Sequence, residues 1–308
     1  LAEEWQRGDV PPHVWRERLD RARDVVERSK AYRYNRFYQR FVAEQNYIRA
    51  IPATEARRAE WEAFVAAKKP KDESRLKLDP NLPMPRWYDG VEWHLEPGSW
   101  DGYDLTQPMF MSAIGPYVFS LGGYAAVDVN CDIRAQRKNV LSQFRRRDFK
   151  RVYEAGCGGA TTLGIARQMF PQAELVGGDL SPALLKNGHF ISELMNLGIT
   201  FRQEDATRVA EADGSVDAVI SYAVHHEMPP AVSDAMIKEM FRILAPNGEM
   251  VISDPPPFRG VNPMQAVVLD WDTDNRAEPF FSAAAMANLA QMMRDAGFVD
   301  VEEYALEK

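Results

Sequence analysis

Acidic side chains and clustered glycines mark three positions at which this sequence is suited to bind a small polar molecule. Glu154 precedes the glycine-rich run at 156–159, Asp179 ends a second apolar run, and Asp205-Ala206 follows a third. Glycines let the backbone turn tightly and approach a ligand closely. The carboxylate of Asp179 can accept hydrogen bonds from two ribose hydroxyls. That of Asp205 can accept one from an adenine amino group, with Ala206 leaving room for the ring.

A second group of reactive side chains, His225, His226 and Glu227, follows a fourth apolar run. A histidine with a pKa near neutrality can take a proton from a phenol or another hydroxyl group. These three residues are therefore the candidate catalytic groups. The alternative is that one histidine packs in the wall of the site while the other orients the substrate or the loop.

The elements that must position these residues lie after Lys150, where short apolar runs alternate with helix-like stretches. This alternation predicts an α/β fold with a Rossmann-like, mostly parallel sheet flanked by helices, over residues 131–308. Ser181 and Pro182 are suited to cap and begin one helix. The predicted strands are 151–154, 174–178, 200–203, 218–221, 249–253 and 299–304, and the predicted helices are 162–169, 182–197, 232–244 and 282–296.

Residues 1–130 are expected to form an N-terminal helical and aromatic cap that includes a substrate lid. The region 68–85 is rich in Pro, Lys and Asp and is interpreted as an exposed connector. The apolar segment 110–119 can line a pocket for a flat aromatic or hydrophobic substrate, or it can simply cover one face of the sheet. The predicted substrate contacts are Met109, Phe110, Tyr117, His226 and Phe258.

Charge and cysteine content exclude several functional classes. The formal net charge of −8 argues against binding along a nucleic-acid backbone. Two cysteines, Cys131 and Cys157, cannot make a disulfide framework, so a reducing, cytoplasmic location is expected. The uncharged stretch 109–127 is interrupted by Gly and Pro and is not expected to insert stably into a membrane. Asp254 is a lone carboxylate, so no metal site is predicted.

Taken in order, the blocks around residues 154–160, 179–182, 204–206, 220–229 and 244–254 resemble a class I S-adenosylmethionine-dependent methyltransferase of the ubiquinone-biosynthesis-like small-molecule group. The resemblance covers about residues 135–305. It implies S-adenosylmethionine as cofactor, with three binding regions and two residues facing the sulfonium. These are Glu154, Gly156, Cys157 and Gly158 around the methionine portion, Asp179 and Leu180 at the ribose, Asp205 and Ala206 at the adenine, and Ser221 and Tyr222 near the sulfonium.

The resemblance implies methyl transfer to a small, aromatic or hydrophobic organic acceptor, at oxygen, nitrogen or carbon. Two alternatives stay open: a protein that binds S-adenosylmethionine for other chemistry, and an NAD(P)-dependent oxidoreductase, which shares the glycine turn and the Asp179 position. A homodimer is also left open. Two features depart from the family pattern. Ala160 stands where a glycine is usual, and the sequence offers one strand, 299–304, where the family ends in an antiparallel pair.

Overall fold

The computed structural model describes residues 5, 10–67, 72–117 and 133–306. Its centre is a six-stranded sheet in the order β1-β4-β3-β2-β5-β6, in which every neighbouring pair is parallel. The predicted Rossmann-like α/β fold is therefore confirmed. The strands are β1 Leu76–Lys77, β2 Arg151–Ala155, β3 Glu174–Asp179, β4 Ile199–Gln203, β5 Val216–Tyr222 and β6 Leu244–Ser253.

Helices cover both faces of this sheet. On one face Val152 and Phe201 pack with Leu163 of α7, and on the other Val219 packs with Met236 of α9. Strands covered on both faces are apolar almost throughout, as β2 and β5 are. The helices are α1 Pro12–Val26, α2 Lys30–Glu55, α3 Arg58–Ala67, α4 Thr106–Met109, α5 Gly115–Tyr117, α6 Ile133–Leu141, α7 Thr161–Met169, α8 Pro182–Met195, α9 Pro230–Ile243, α10 Pro263–Asn275, α11 Phe281–Met286 and α12 Leu289–Ala296.

Local signals in the sequence place the ends of two of these helices. The Ser181 side chain accepts a hydrogen bond from the backbone N–H of Leu184 at 3.1 Å, and Pro182 opens α8, as predicted. The predicted helix 282–296 is instead two helices, α11 and α12. Asn288 separates them because its side chain accepts a hydrogen bond from the backbone N–H of Gln291 and so caps a new helix.

The two edges of the sheet differ from the prediction. Residues 299–304 were expected to form a strand but are irregular: Val299 is 84% exposed, and only side chains such as Tyr304 fix the segment. An extended segment becomes a strand only when its backbone pairs with a neighbour, and within the described ranges this one has no such pairing. The predicted connector 68–85 instead contains β1, where Leu76 pairs with Phe201 of β4.

The N-terminal helix α1 packs against the last third of the chain. Trp15 and Leu19 lie in one buried cluster with Phe258 and with Phe281 of α11. Beside this cluster Asp270 of α10 accepts a hydrogen bond from Arg16 at 2.9 Å. The division into a cap, 1–130, and a core, 131–308, stays a proposal, and β1 shows that the first range contributes a strand to the sheet. Within the described ranges, no helix combines the length and apolar character needed to cross a bilayer.

Replacing Trp15 by Ala tests this docking. The side chain is 1% exposed, and its removal leaves a cavity between α1 and α10, so the free energy of unfolding should fall by about 3–5 kcal/mol. Val25→Ala on the same helix is the matched control. Val25 is 57% exposed, so a change below about 0.5 kcal/mol is expected. Urea unfolding measures both, and equal losses would contradict the packing of α1 described above.

Candidate functional site

The carboxyl ends of β2, β3 and β4 meet at one edge of the sheet and are joined by hydrogen bonds. The backbone N–H of Gly158, after β2, donates to Asp179 Oδ2 at 2.8 Å. The backbone N–H of Glu204, after β4, donates to the carbonyl oxygen of Asp179 at 3.1 Å. The three acidic strand ends predicted from the sequence are thus brought together, with Asp179 at their centre.

The turn between β2 and α7 requires glycine at specific positions. Gly156 and Gly158 have φ of +67° and +50°, in the left-handed region. A Cβ at Gly156 would also lie 2.5 Å from Val224 Cγ2. Ala160, which stands where the family has glycine, has φ 61° at the N-cap of α7. The backbone therefore keeps the glycine conformation there, and alanine adopts it at some cost in strain.

Glu154 is buried at the end of β2 and has an oxygen to spare. Its Oε2 atom has no hydrogen-bond partner among the described residues. Burial raises the pKa of this carboxyl to about 8, although Thr162 and Arg137 act in the opposite direction. An unpaired buried carboxyl oxygen is costly and calls for a partner that the structure does not contain. A ligand with an ammonium or N–H group would supply that partner.

Asp179 and Asp205 each keep acceptor capacity. Asp179 accepts from Gly158 and, through Oδ1, from the backbone N–H of Ser181 at 2.9 Å. Burial raises the pKa of Asp179 to about 6, although these two hydrogen bonds oppose the shift. Asp205 Oδ1 accepts from both the backbone N–H and the hydroxyl of Thr207, at 2.8 Å each. Each carboxylate oxygen can accept a second hydrogen bond, so both groups can still bind ligand donors.

The remaining predicted cofactor residues line the same edge. Leu180 and Ala206 are half-buried, whereas Cys157 is buried. Ser221, near the end of β5, is fully buried, and its hydroxyl has no partner among the described residues. Tyr222 is half-buried, and the guanidinium of Arg137 lies 4.3 Å from its ring centroid. Two unpaired buried oxygens, on Glu154 and Ser221, therefore lie on neighbouring strands.

The two histidines after β5 are in opposite charge states. His226 Nδ1 lies 2.9 Å from Asp254 Oδ1. Burial disfavours the charged form of His226, but Asp254 outweighs it and raises the pKa to about 9. His225 is fully buried, neither ring nitrogen has a partner among the described residues, and burial lowers its pKa. At neutral pH His226 is therefore a hydrogen-bond donor, which weighs against its taking a proton, and His225 is a neutral side chain packed in the wall.

The predicted substrate contacts are scattered. Met109 is fully buried with Tyr47 and Ile114, and Phe258 is fully buried with Trp15, so neither presents surface to a pocket. Phe110 is half-buried, and Tyr117 is 70% exposed. Of the five predicted contacts, only His226 lies at the strand ends. The predicted pocket wall at 118 and 119, most of the uncharged stretch 109–127, and Cys131 lie outside the described residues.

The structure adds site residues that sequence reasoning missed. Asp101 Oδ1 accepts from the Ser181 hydroxyl at 2.6 Å and from the backbone N–H of Ala183 at 3.2 Å, at the start of α8. His94 lies between Glu227 and Glu278. The crowding of aromatic residues around 87–100 was the available signal, but it indicated packing and not a position above the strand ends.

Comparison with known proteins gives a consistent result. The methyltransferase domain family matches residues 152–248. The demethylmenaquinone methyltransferase of Thermus thermophilus is 29% identical over 131 residues, which are 42% of this chain and 58% of that protein. The Deinococcus radiodurans protein of the same name is 28% identical over 162 residues, 52% of this chain and 65% of that one. The chain thus spans about three fifths of the length of these relatives.

Among solved structures, a Haemonchus contortus phosphoethanolamine N-methyltransferase bound to S-adenosylmethionine is 19% identical, with a TM-score of 0.45. The alignment covers 54% of this chain and 37% of that chain. The parallel sheet, the glycine turn and the family match define a class I S-adenosylmethionine-dependent methyltransferase domain. Within that class the chain is of the ubiquinone-biosynthesis-like group, as the sequence predicted.

A matched pair of glycine substitutions tests the turn. Gly156→Ala places a methyl group against Val224 and forces alanine into left-handed backbone, so the free energy of unfolding should fall by at least about 1–2 kcal/mol. Gly159→Ala should change it by less than about 0.5 kcal/mol, because its Cβ meets nothing within 4 Å and its φ lies outside the left-handed region. Thermal or urea unfolding measures the pair. Similar losses in both variants would contradict the geometry of the turn.

The raised pKa of His226 predicts a pH dependence of stability. A pKa of about 9 in the folded chain, against 6.5 unfolded, gives a stabilisation that is complete below pH 6.5 and lost as the pH rises to 9. The loss should be about 3 kcal/mol in the free energy of unfolding. Urea unfolding across this range should show a flatter profile for His226→Gln than for the unsubstituted protein. Parallel profiles would contradict the assignment.

Proposed function

We propose that this protein transfers a methyl group from S-adenosylmethionine to a small aromatic or hydrophobic organic acceptor. The observation that carries the proposal is the joining of three strand ends at Asp179, beside the unpaired carboxyl oxygen of Glu154. The family match over residues 152–248 supports methyl transfer over an NAD(P)-dependent oxidoreductase or another use of the cofactor.

Each donor group of the cofactor has a fitting acceptor at this edge. The Glu154 carboxyl suits the amino group of the methionine portion. The unused acceptor positions of Asp179 suit the two ribose hydroxyls, and those of Asp205 suit the adenine amino group, with Leu180 and Ala206 beside the rings. The glycine turn at 156–158 lets the backbone approach closely. Ser221 and Tyr222 lie where they would face the sulfonium.

When bound, S-adenosylmethionine supplies an electrophilic methyl group, so the protein's own task is mainly to orient the acceptor and to exclude water. The aromatic rings beside the candidate catalytic turn suit a flat acceptor. Phe280 lies 6.2 Å from Trp87 and 6.1 Å from Trp93, centroid to centroid, and Phe281 lies 5.4 Å from His226.

The names of the relatives suggest a narrower acceptor. Because two of them are demethylmenaquinone methyltransferases, we propose a quinone-like ring as the acceptor, methylated at carbon. Glu227 is the proposed base, and His226 is proposed to contact the acceptor. A cytoplasmic location, a homodimer and the lack of a nucleic-acid partner stay predictions.

Calorimetry with S-adenosylmethionine tests the cofactor site. The unsubstituted protein should bind it, and Asp179→Asn should weaken binding at least about tenfold, because two charge-assisted hydrogen bonds worth about 1.5–3 kcal/mol each are weakened. Asp213→Asn is the matched control. Its side chain is 84% exposed at the opposite end of β5, so its affinity should not change. Binding of NADH in place of S-adenosylmethionine would refute the proposal, and transfer of a labelled methyl group to quinone-like rings would establish the acceptor.

A further inference from the structure

Two imidazole rings from distant parts of the chain converge on a single carboxylate oxygen. His94 Nε2, from the N-terminal region, lies 3.3 Å from Glu227 Oε1. His226 Nε2, from the turn after β5, lies 3.8 Å from the same oxygen. Neither ring is held by this contact alone, since each is fixed on its other side by a second carboxylate.

The second carboxylates are Asp254 and Glu278. Asp254 Oδ1 lies 2.9 Å from His226 Nδ1, and Glu278 Oε1 lies 2.6 Å from His94 Nδ1. Both side chains are nearly buried, with 7% and 6% exposed. Each carboxylate–imidazole pair therefore fixes its ring with the Nδ1–H directed at the carboxylate and the Nε2 atom turned towards Glu227, an orientation that such a pair enforces.

Both rings carry protons on both nitrogens near neutral pH. Burial opposes the charged form of His94, but Glu278 and Glu227 raise its pKa well above the usual value, as Asp254 does for His226. The pKa of Glu278 is correspondingly lowered by His94 despite its burial. Both Nε2 atoms are therefore donors, and each carboxylate–imidazolium pair is neutral as a unit. Two donors aimed at one point from neutral, fixed pairs form an arrangement suited to an oxyanion.

Solvent can reach the central part of this cluster. His94 and Glu227 are 21% and 22% exposed, whereas His226 is 9% exposed. Glu227 can therefore turn away from the two rings into solvent, and another oxygen can take its place between them. The edge of the Trp100 ring lies against His94, and Phe281 lies against His226, so the surrounding walls are aromatic.

The backbone that carries His94 is strained. His94, Leu95 and Ser99 have φ values of 56°, 64° and 62°, in the left-handed region that non-glycine residues rarely adopt. Such conformations persist where the surrounding structure holds them, and they cluster at functional sites. The hydrogen bonds of Asp101 to the start of α8 hold the far end of this segment on the core.

We propose that His94 and His226 form a two-imidazole subsite that binds the acceptor through an acidic hydroxyl in its oxyanion form, with Glu227 as the group that takes the proton. This inference rests on the proposed function and names the chemistry of its acceptor. The O–H bond of the acceptor breaks, its electron pair stays on the acceptor oxygen, and the proton bonds to a carboxylate oxygen of Glu227. The negative charge thus moves from Glu227 to the acceptor within reach of the same two donors, so the charge beside the rings is unchanged.

The charged neighbours of the two rings come from several elements. Glu278 acts on both rings. The further groups facing them, or facing Glu227, are Glu96, Asp272, Asp254, His225, Arg276, Tyr88 and Asp179. All these groups stay in place in the single substitutions below, so a difference between variants reports the ring or carboxylate that was replaced.

The test uses 4-nitrophenol, whose phenolate absorbs visible light, titrated with pH in the presence of the protein alone. Because no nucleotide is added, the result does not depend on S-adenosylmethionine binding, and failure of the proposed function would be detected separately by calorimetry. In the unsubstituted protein the pKa of the bound phenol should fall by about one unit, a tenfold gain in the phenolate fraction. A bound phenol with an unshifted pKa, or no binding of the phenol, would overturn the proposal.

Three substitutions separate the subsite from a general effect of the cluster. His94→Gln should abolish most of the shift, whereas His13→Gln, at an exposed position, should leave it intact. Glu227→Gln should keep or enlarge the shift, because it removes the competing carboxylate. A shift that survives His94→Gln, or one that is lost in Glu227→Gln, would contradict the subsite. If His94→Gln does not fold, Glu278→Gln gives the second measurement, and it should reduce the shift because His94 then loses its counter-ion.

Discussion

The organisation of the site depends on one buried carboxylate, that of Asp179. Its two oxygens accept hydrogen bonds from the backbone on either side, at Gly158 and Ser181, and its own carbonyl accepts one from Glu204. Three strand ends are thereby fixed relative to one another. Because these contacts use only part of the acceptor capacity of the carboxylate, the group that holds the site together can also bind a ligand.

The sheet makes this arrangement possible through its packing. Gly177 and Gly178 in β3 leave space that a Cβ would fill: at Gly178 it would come 2.0 Å from the Tyr153 hydroxyl. That hydroxyl crosses β3 and donates to Glu204 Oε1 at 2.8 Å. Glu204 is thus used to connect β2 with β4, while its neighbour Asp205 is left for ligand binding. The small residues of β3 and the polar strand ends are two parts of one design.

The N-terminal region does more than cover the core. It supplies β1 to the sheet, Asp101 to the start of α8, and His94 to the turn after β5. These contacts place charged side chains from both parts of the chain in a buried position, where the charge state of each group is determined by its neighbours. The opposite protonation of the adjacent residues His225 and His226 follows from this, because only one of them lies beside a carboxylate.

The sequence by itself determined the parallel sheet, the glycine turn and the acidic strand ends, because each depends on residues close together in the chain. Apolar runs between helical stretches predict parallel strands, and parallel strands bring their carboxyl ends to one edge. Only the tertiary structure decided which side chains join that edge from elsewhere. His94 and Glu227 are 133 residues apart, and no local pattern encodes their meeting. It likewise decided that Met109 and Phe258 are buried, that residues 299–304 stay irregular, and which histidine is charged, because burial, strand pairing and pKa all depend on neighbours that are distant in sequence.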